Sequence, residues 1–271
     1  MTGEELIRAL RDGRPVFGTL IVSTSPRWPD AVAGLGLDFV FIDTEHTPID
    51  RHQLSWMCQT YRALRLAPVV RIPSPDPYAA AMVLDGGAAG VIAPYVESAE
   101  QVQLLRGAVK FRPVKGRKLQ AALDGTAEFE PRLEEYLRRR NRGSALIVNV
   151  ESTAAMEKLD EIVAADGLDA VLIGPHDLSC SLGIPEQYDH PRFEEAVREI
   201  IAKARAAGIG AGIHFSAGVE QQIEWARAGM NLIVHSSDVN AFQEGMRRDL
   251  ETIRRALGLR GPEAAPGDVN I

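Results

Sequence analysis

The sequence predicts an α/β fold, a closed (β/α)8 TIM barrel that forms a single domain. The length of 271 residues is close to that of one such barrel. Most strand-like runs are continuously apolar, which is typical of parallel strands that are buried on both faces. Eight of these runs alternate with segments of helical periodicity, and eight βα units indicate a closed barrel.

The predicted strands and helices alternate along the chain. After a short amphipathic helix at the N-terminus, helical periodicity covers residues 49–64, 77–84, 99–109, 154–165, 191–207 and 218–228. Several helices end at a glycine directly before the next strand, as in AAGIGAGI, which is the C-cap use of glycine. The strand-like runs are VFGTLIV from Val16, FVFID from Phe39, PVVRI from Pro68, GVIAP from Gly90, ALIVNVE from Ala145, AVLIG from Ala170, GAGIHF from Gly210 and NLIVHS from Asn231.

Two segments depart from this alternation. Residues 111–142 are polar, rich in arginine and longer than an ordinary connection between a helix and a strand, and long insertions in barrels are often functional. Residues 258–271 lack apolar periodicity and are predicted to form a flexible tail. The sequence therefore predicts a barrel domain over residues 1–257, followed by this tail.

Composition excludes several functional classes. A net charge of −7 and a pI near 5.5 provide no general basic field, so nucleic acid is not an expected partner. No apolar run approaches the roughly 18 residues of a membrane span, and we expect a cytoplasmic protein. The only two cysteines, Cys58 and Cys180, have neither CxxC spacing nor the context of a small secreted protein, so a disulfide framework is not expected.

Acidic residues follow two neighbouring predicted strands. Glu151 ends the fifth strand, and Asp177 lies just beyond the sixth. Barrel enzymes carry their chemistry where strands end, and two carboxylates would balance the charge of a divalent cation such as Mg²⁺ or Mn²⁺. Each acid could instead cap the helix that follows it. Because both acids lie at neighbouring strand exits, we favour the metal site.

A histidine and an arginine belong to the same predicted barrel mouth. His46 follows the second strand and is a candidate general base near neutral pH, although a single loop histidine is more often a structural or solvated residue. Arg71 ends the third strand, where a guanidinium suits a substrate carboxylate or an enolate oxygen. Its alternative is a salt bridge to Asp43 or Glu45.

The lysines and glycines exclude two other mechanisms. A Schiff-base aldolase needs a lysine inside the barrel, and all five lysines fall on predicted helices, directly at the end of one (Lys110), or in residues 111–142. A glycine-rich phosphate loop and a dinucleotide-binding fingerprint are both absent from the sequence. Stabilisation of an enolate is therefore expected from a metal, and a nucleotide cofactor is not indicated.

Five separated motifs resemble one known family. FIDTEHTP, PVVRIPSPDP, VLDGGAAGVIAPYVESAEQV, VNVESTAAM and IGPHDLSCSLG occur in this order over roughly residues 14–250. Together they resemble the metal-dependent HpcH/HpaI aldolases, class II pyruvate aldolases that act on 4-hydroxy-2-oxo acids. The resemblance implies a (β/α)8 barrel with an exchanged C-terminal helix, assembled as a homohexamer of exchanged-helix dimers. It also implies Mg²⁺, Mn²⁺ or Co²⁺ as cofactor, and a 2-oxo acid and an aldehyde as partners.

The resemblance also implies roles for particular residues. Glu151 and Asp177 match the metal ligands, His46 matches the catalytic base, and Arg71 matches the arginine that contacts the pyruvate oxygen. Asp85, which from sequence alone is an ordinary exposed residue, matches the carboxylate that pairs with the histidine. The substrate carboxylate is expected on the backbone of the turn formed by Gly174, Pro175, His176 and Asp177.

Two departures and two alternatives stay open. Asn149 stands where a glutamine is common, and FRPVKGRKLQAALDG replaces an arginine-glycine phrase, which leaves the substrate undetermined. The same site would suit a malyl- or citryl-coenzyme A lyase, for which residues 112–118 are the only candidate basic groove, or an oxaloacetate decarboxylase. A non-catalytic ligand-binding barrel is the alternative from another functional class.

Overall fold

The computed structural model describes residues 1–259 and confirms the predicted barrel. Eight parallel strands close in the order of the sequence, each hydrogen-bonded to its neighbours, with β1 paired to β8. The strands are β1 Val16–Ile21, β2 Phe39–Asp43, β3 Ala67–Arg71, β4 Gly90–Ala93, β5 Ala145–Val150, β6 Ala170–Ile173, β7 Gly210–Phe215 and β8 Leu232–Ser237. All eight fall within two residues of the predicted starting positions.

The helices surround the barrel and close its amino-terminal end. Their bounds are α1 Gly3–Arg11, α2 Trp28–Ala33, α3 Arg51–Ala63, α4 Pro77–Asp85, α5 Ala99–Lys110, α6 Gly116–Leu123, α7 Pro131–Asn141, α8 Thr153–Glu157, α9 Leu159–Val163, α10 Pro175–Ser181, α11 Pro191–Ala206, α12 Val219–Arg227 and α13 Asp238–Ala256. The single helix predicted over residues 154–165 is in fact two short helices, because Lys158 leaves the helical conformation (φ −109°, ψ 15°). Gly208 has a φ of +76°, as the predicted C-cap requires.

Apolar side chains form two layers on either side of the strands. One cluster fills the interior of the barrel and includes Leu20, Phe39 and Phe41, while the larger cluster lies between the strands and the helices. The predicted burial of the strands on both faces is therefore correct, as the uniformly buried strands β2 and β5 illustrate. This packing fixes the carboxyl ends of the strands as a rigid rim for the site.

The insertion at residues 111–142 is helical and packs below the barrel. It contains α6 and α7, and α7 buries only Leu137 and Asn141. The Asn141 side-chain amide donates to the carbonyl oxygens of Lys110 and Arg112 at 2.9 and 2.8 Å. The insertion therefore lies at the amino-terminal end of the barrel, away from the strand exits.

The last helix leaves an apolar face exposed. Phe242, Met246, Leu250, Ile253 and Leu257 are spaced by three or four residues along α13 and are all exposed. An apolar groove of about 470 Å³ lies between α2, β1, β8 and the start of α13, and Phe17 on the outer face of β1 is exposed there. The predicted tail over residues 258–271 lies, beyond Leu259, outside the described residues. Within residues 1–259, every helix is too short or too polar to cross a membrane.

Candidate active site

A cleft of about 410 Å³ opens at the carboxyl ends of the strands. Six of the residues predicted for the site line it: His46, Arg71, Gly174, Pro175, His176 and Asp177. The strand register explains this convergence, because Asp43 pairs with Arg71 between β2 and β3, and Val150 pairs with Ile173 between β5 and β6. Residues that follow these strands therefore face one another across the rim.

Arg71 is held in place by a buried carboxylate. Its Nε and Nη2 atoms donate to the two carboxylate oxygens of Asp43, each at 2.8 Å, and Nε also lies 3.1 Å from Glu45 Oε2. Burial opposes ionisation of Asp43, but the hydrogen bonds and charge of Arg71 prevail and lower its pKa. Burial likewise opposes the charge of Arg71, whose pKa is nevertheless raised by Asp43. The salt bridge that was the alternative for Arg71 is therefore present, and it also holds the guanidinium group at the cleft.

The same carboxylate organises the loop that carries His46. Asp43 Oδ1 accepts the backbone N–H of Glu45 at 3.0 Å, and Oδ2 accepts that of His46 at 3.3 Å. The His46 ring is half exposed, and its Nε2 lies 3.7 Å from Glu45 Oε2. His46 is therefore a solvent-accessible imidazole on a fixed backbone, beside a carboxylate that also contacts Arg71.

Glu151 is a buried carboxylate that is only partly satisfied by hydrogen bonds. Oε1 accepts the backbone N–H of Tyr95 at 2.7 Å, and Oε2 accepts the Asn149 side-chain amide at 2.8 Å. Burial raises the pKa of Glu151, the two hydrogen bonds oppose this effect, and the charges of Asp177 and Glu45 add to it. A side chain at Gly174 would place its Cβ 2.7 Å from Glu151 Oε2, so only glycine leaves room for this carboxylate.

The helix-cap alternative applies differently to the two acids. Ser152, not Glu151, caps α8, because its side chain accepts the backbone N–H of Ala155. Asp177 lies in the first turn of α10, where the helix dipole favours an anion, and its charge reaches Glu151 across the cleft rim. The cap explanation therefore fails for Glu151 and describes only the position of Asp177.

The residues at this rim fit a divalent cation. The charges of Glu45 and Asp177 both act on Glu151, and together with its burial they disfavour ionisation of this carboxylate. A cation bound between Glu151 and Asp177 would offset this repulsion. Within residues 1–259 no set of three or more liganding side chains is assembled, so a cation here would take its other ligands from water and substrate, as Mg²⁺ commonly does.

Asp85 is not brought to His46 within the chain. It ends α4, which runs from the carboxyl end of β3 back to the amino end of β4, so it lies at the opposite end of the barrel. Its side chain is 66% exposed and lies 3.6 Å from Arg112. The expected pairing of Asp85 with His46 is therefore not made by a single copy of the chain.

Some residues of the candidate site were not predicted from the sequence. Tyr95 adopts a positive φ of 55°, which aims its backbone N–H at Glu151. The Tyr95 hydroxyl donates a hydrogen bond to the Glu45 carboxylate, and this bond raises the pKa of Tyr95 to about 12. His214 lines the cleft and is kept neutral because burial lowers its pKa to about 4. His235 on the neighbouring strand β8 faces outward instead and contacts Gln222. No local pattern marks Tyr95, because its role arises from backbone conformation.

Asn149 has a fixed orientation in the cleft. Its amide nitrogen donates to Glu151, while its Oδ1 atom is buried and has no hydrogen-bond partner among the described residues. Rotation of the amide by half a turn would place Oδ1 against the Glu151 carboxylate, which disfavours that orientation. Asn149 thus positions Glu151 and offers an unused acceptor to a ligand.

The basic groups of residues 110–118 lie away from the cleft. Lys110 bonds Asp169 and Arg112 lies beside Asp85, both at the amino-terminal end of the barrel. All five lysines are within the described residues, and the cleft is lined by none of them. The absence of a Schiff-base lysine is therefore as predicted, and the basic groove that a coenzyme A thioester would need is not next to this site.

Fold and site together define a class of protein: a (β/α)8 barrel with carboxylate, guanidinium and imidazole groups at the carboxyl ends of its strands, where barrel enzymes have their active sites. The sequence profile of the HpcH/HpaI aldolase/citrate lyase family matches residues 17–244. The chain belongs to this family.

Named relatives agree with this assignment. A 2-keto-3-deoxy-L-rhamnonate aldolase of Klebsiella pneumoniae is 32% identical over 245 residues, which cover 90% of each chain. A hydroxypyruvate/pyruvate aldolase of Roseovarius nubinhibens is 32% identical over 89% of this chain and 93% of its own. The crystal structure of an HpcH/HpaI aldolase from Desulfitobacterium hafniense superposes with a TM-score of 0.80 at 27% identity, covering 96% of this chain and 99% of the other. These relatives support an aldolase, an enzyme of the lyase class.

Proposed function

We propose that the protein is a divalent-metal-dependent aldolase that cleaves a 4-hydroxy-2-oxo acid into pyruvate and an aldehyde, or joins them in reverse. The observation that carries the proposal is the meeting of Glu151 and Asp177 at one rim of the cleft that also contains Arg71 and His46. The relatives named as aldolases support the reaction class. The aldehyde is not specified by these residues.

Glu151 and Asp177 would hold the cation, which is Mg²⁺, Mn²⁺ or Co²⁺. When bound, a divalent cation acts as a Lewis acid that polarises the 2-oxo group and favours the enolate form of pyruvate. Tyr95 and Asn149 orient Glu151 by hydrogen bonds from opposite sides. Gly174 leaves the space that this orientation requires.

The other residues bind the substrate and move its protons. The backbone of residues 174–177 lies at the start of α10, where His176 and Asp177 have N–H groups free for a substrate carboxylate, whereas Pro175 has none. Arg71, fixed by Asp43, faces the oxygen on which negative charge develops. His46 removes the proton of the 4-hydroxyl group, after which the carbon–carbon bond breaks and the aldehyde leaves. Protonation of the remaining enolate at C3 then gives pyruvate.

His46→Gln is expected to lower kcat by about 10²–10⁴-fold, the usual contribution of a general base. Affinity for Mn²⁺ should stay within about twofold, because His46 is not a proposed ligand. Steady-state pyruvate formation and Mn²⁺ titration measure the two quantities. His52→Gln is the matched control, since His52 is exposed at the start of α3. Unchanged turnover in the His46 variant would exclude its role as the base.

A panel of aldehydes with pyruvate and several divalent cations, read out by product mass, tests the proposed reaction. We expect a condensation product that depends on the cation and disappears with a chelator. Malyl-coenzyme A and oxaloacetate serve as comparison substrates for the thioester and decarboxylase alternatives. A protein that binds no divalent cation and forms neither pyruvate nor an adduct would be a ligand-binding barrel instead.

A second copy of the chain is the proposed occupant of the apolar face on α13. The groove between α2, β1, β8 and the start of α13 leaves Phe17 exposed, and α13 of another copy offers the apolar stripe that would fill it. Such an arrangement is the exchanged-helix dimer that the family resemblance implies. In a larger assembly, the pairing of His46 with an Asp85 carboxylate would have to come from a second copy as well.

Met246→Glu combined with Leu250→Glu is expected to reduce the oligomeric state, because two charges would be buried in an apolar contact. Light scattering after size-exclusion chromatography measures the mass. Thr252→Glu adds a charge elsewhere on α13 and should leave the assembly unchanged. A wild-type protein that is monomeric at micromolar concentration would contradict the exchange.

A further inference from the structure

A second cleft, of about 350 Å³, opens at the amino-terminal end of the barrel, opposite the candidate active site. It is bordered by the start of α1, the end of α4 and the end of α7, and its size falls within the range of about 300–1,000 Å³ that is typical of small-molecule sites. Five arginines line this basic cleft: Arg62, Arg112, Arg139, Arg140 and Arg142.

Positive charge in the basic cleft is poorly balanced, although the whole chain has a net charge of −7. The one acidic lining residue is Glu4, which already contacts Arg142 at 3.2 Å and Arg8 at 3.8 Å. The side chains of Arg139 and Arg140 form no hydrogen bond or ion pair with any residue in the part of the chain that is described. These two guanidinium groups are therefore available to an anion.

Arg112 is the innermost of the five and is incompletely satisfied. Only 14% of its side chain is exposed, and its Nε and Nη1 atoms are buried without a hydrogen-bond partner among residues 1–259. Asp85 Oδ1, at 3.6 Å from Nε, is too far for a hydrogen bond. Burial lowers the pKa of Arg112, an effect that Asp85 opposes and Arg140 reinforces. Buried donors and a poorly balanced charge are costly, and a negatively charged ligand in the cleft would offset the charge of Arg112.

We infer that the basic cleft binds a diphosphate group, either inorganic pyrophosphate or the diphosphate of a nucleotide. Guanidinium groups match phosphate oxygens in charge and in planar, bidentate geometry. A diphosphate carries more negative charge and more acceptor oxygens than a single carboxylate, which suits a cleft lined by five arginines. The bound anion would join α7 to the barrel floor, at a distance from the chemistry in the other cleft.

The test is a calorimetric titration of the full chain with pyrophosphate at constant ionic strength, without added divalent cation because pyrophosphate chelates it. We expect saturable binding of one anion per chain. Arg139→Gln/Arg140→Gln should weaken it at least about tenfold, which corresponds to the loss of charge-assisted hydrogen bonds. Arg132→Gln/Arg138→Gln removes the same charge from the same helix outside the cleft and should bind as the wild type does.

Titrations with ADP and AMP identify the source of the diphosphate. Binding of ADP but not AMP would assign a nucleoside diphosphate, whereas binding of pyrophosphate alone would assign the inorganic anion. The inference is overturned if the wild type shows no saturable binding, or if both double variants lose affinity equally, which indicates general charge attraction. It is also overturned if the Arg139/Arg140 variant changes oligomeric state and no anion binds, since the cleft would then be a contact between copies.

Discussion

Glu151→Gln is expected to abolish binding of the divalent cation and to lower turnover by at least about 10²–10³-fold, the usual cost of losing one preorganised electrostatic contact. The substitution removes the negative charge and preserves the size of the side chain. The amide oxygen can still accept the N–H of Tyr95, and Asn149 can rotate its amide so that the unused Oδ1 accepts from the new nitrogen. The fold should therefore survive while the cation site fails.

Isothermal titration with Mn²⁺ and a pyruvate-release assay measure the two effects in the same preparation. Glu157→Gln, an exposed carboxylate on α8, is the matched control and should retain both properties. Asp177→Asn should behave as the Glu151 variant does. Full turnover of either site variant in the presence of a strong chelator would refute the metal-dependent mechanism.

Asp43→Asn is expected to destabilise the protein by about 3 kcal/mol, near the lower end of the cost of breaking a buried ion pair. The Asp43 side chain is fully buried and forms two hydrogen bonds with Arg71, whose side chain is only 13% exposed. Glu45 remains beside Arg71 and compensates in part. Because the guanidinium and the His46 loop both lose their anchor, turnover should also fall by about 10²-fold.

Urea denaturation of the wild type and the variant measures this difference, and its pH dependence has a definite sign. The pKa of Asp43 is lowered in the folded state, so its stabilisation is complete above the unfolded pKa, about 3.9, and is lost as pH falls through the lower folded value. The difference should be constant between about pH 6 and 8 and should shrink below about pH 4. Glu134→Gln, which breaks an exposed pair with Arg138, should cost less than about 1 kcal/mol. An equal loss of unfolding free energy in both variants would mean that the buried Asp43–Arg71 pair stabilises the fold no more than an exposed ion pair does.

The barrel could be predicted from sequence because its signals are local. Continuous apolar strands and capped helices follow from neighbouring residues, and strand parity then places residues such as Arg71 and Glu151 at one rim. The break at Lys158 and the two helices inside residues 111–142 were not predicted, because short helices depend on what they pack against.

The sequence by itself determined the fold class, and it predicted a candidate site at the carboxyl ends of the strands with the carboxylate, arginine and histidine side chains that line its cleft and rim. Only the tertiary structure decided their relations: that Asp43 anchors Arg71, that Tyr95 and Asn149 orient Glu151, and that Asp85 lies at the far end of the barrel. The physical reason is that side-chain periodicity is set by the local backbone, whereas hydrogen bonds and charge balance depend on groups distant in the chain. For Glu151 and Asp177, the structure replaces a proximity inferred from strand order with a buried carboxylate that is repelled by the charge of its neighbour, a repulsion that a bound cation would offset.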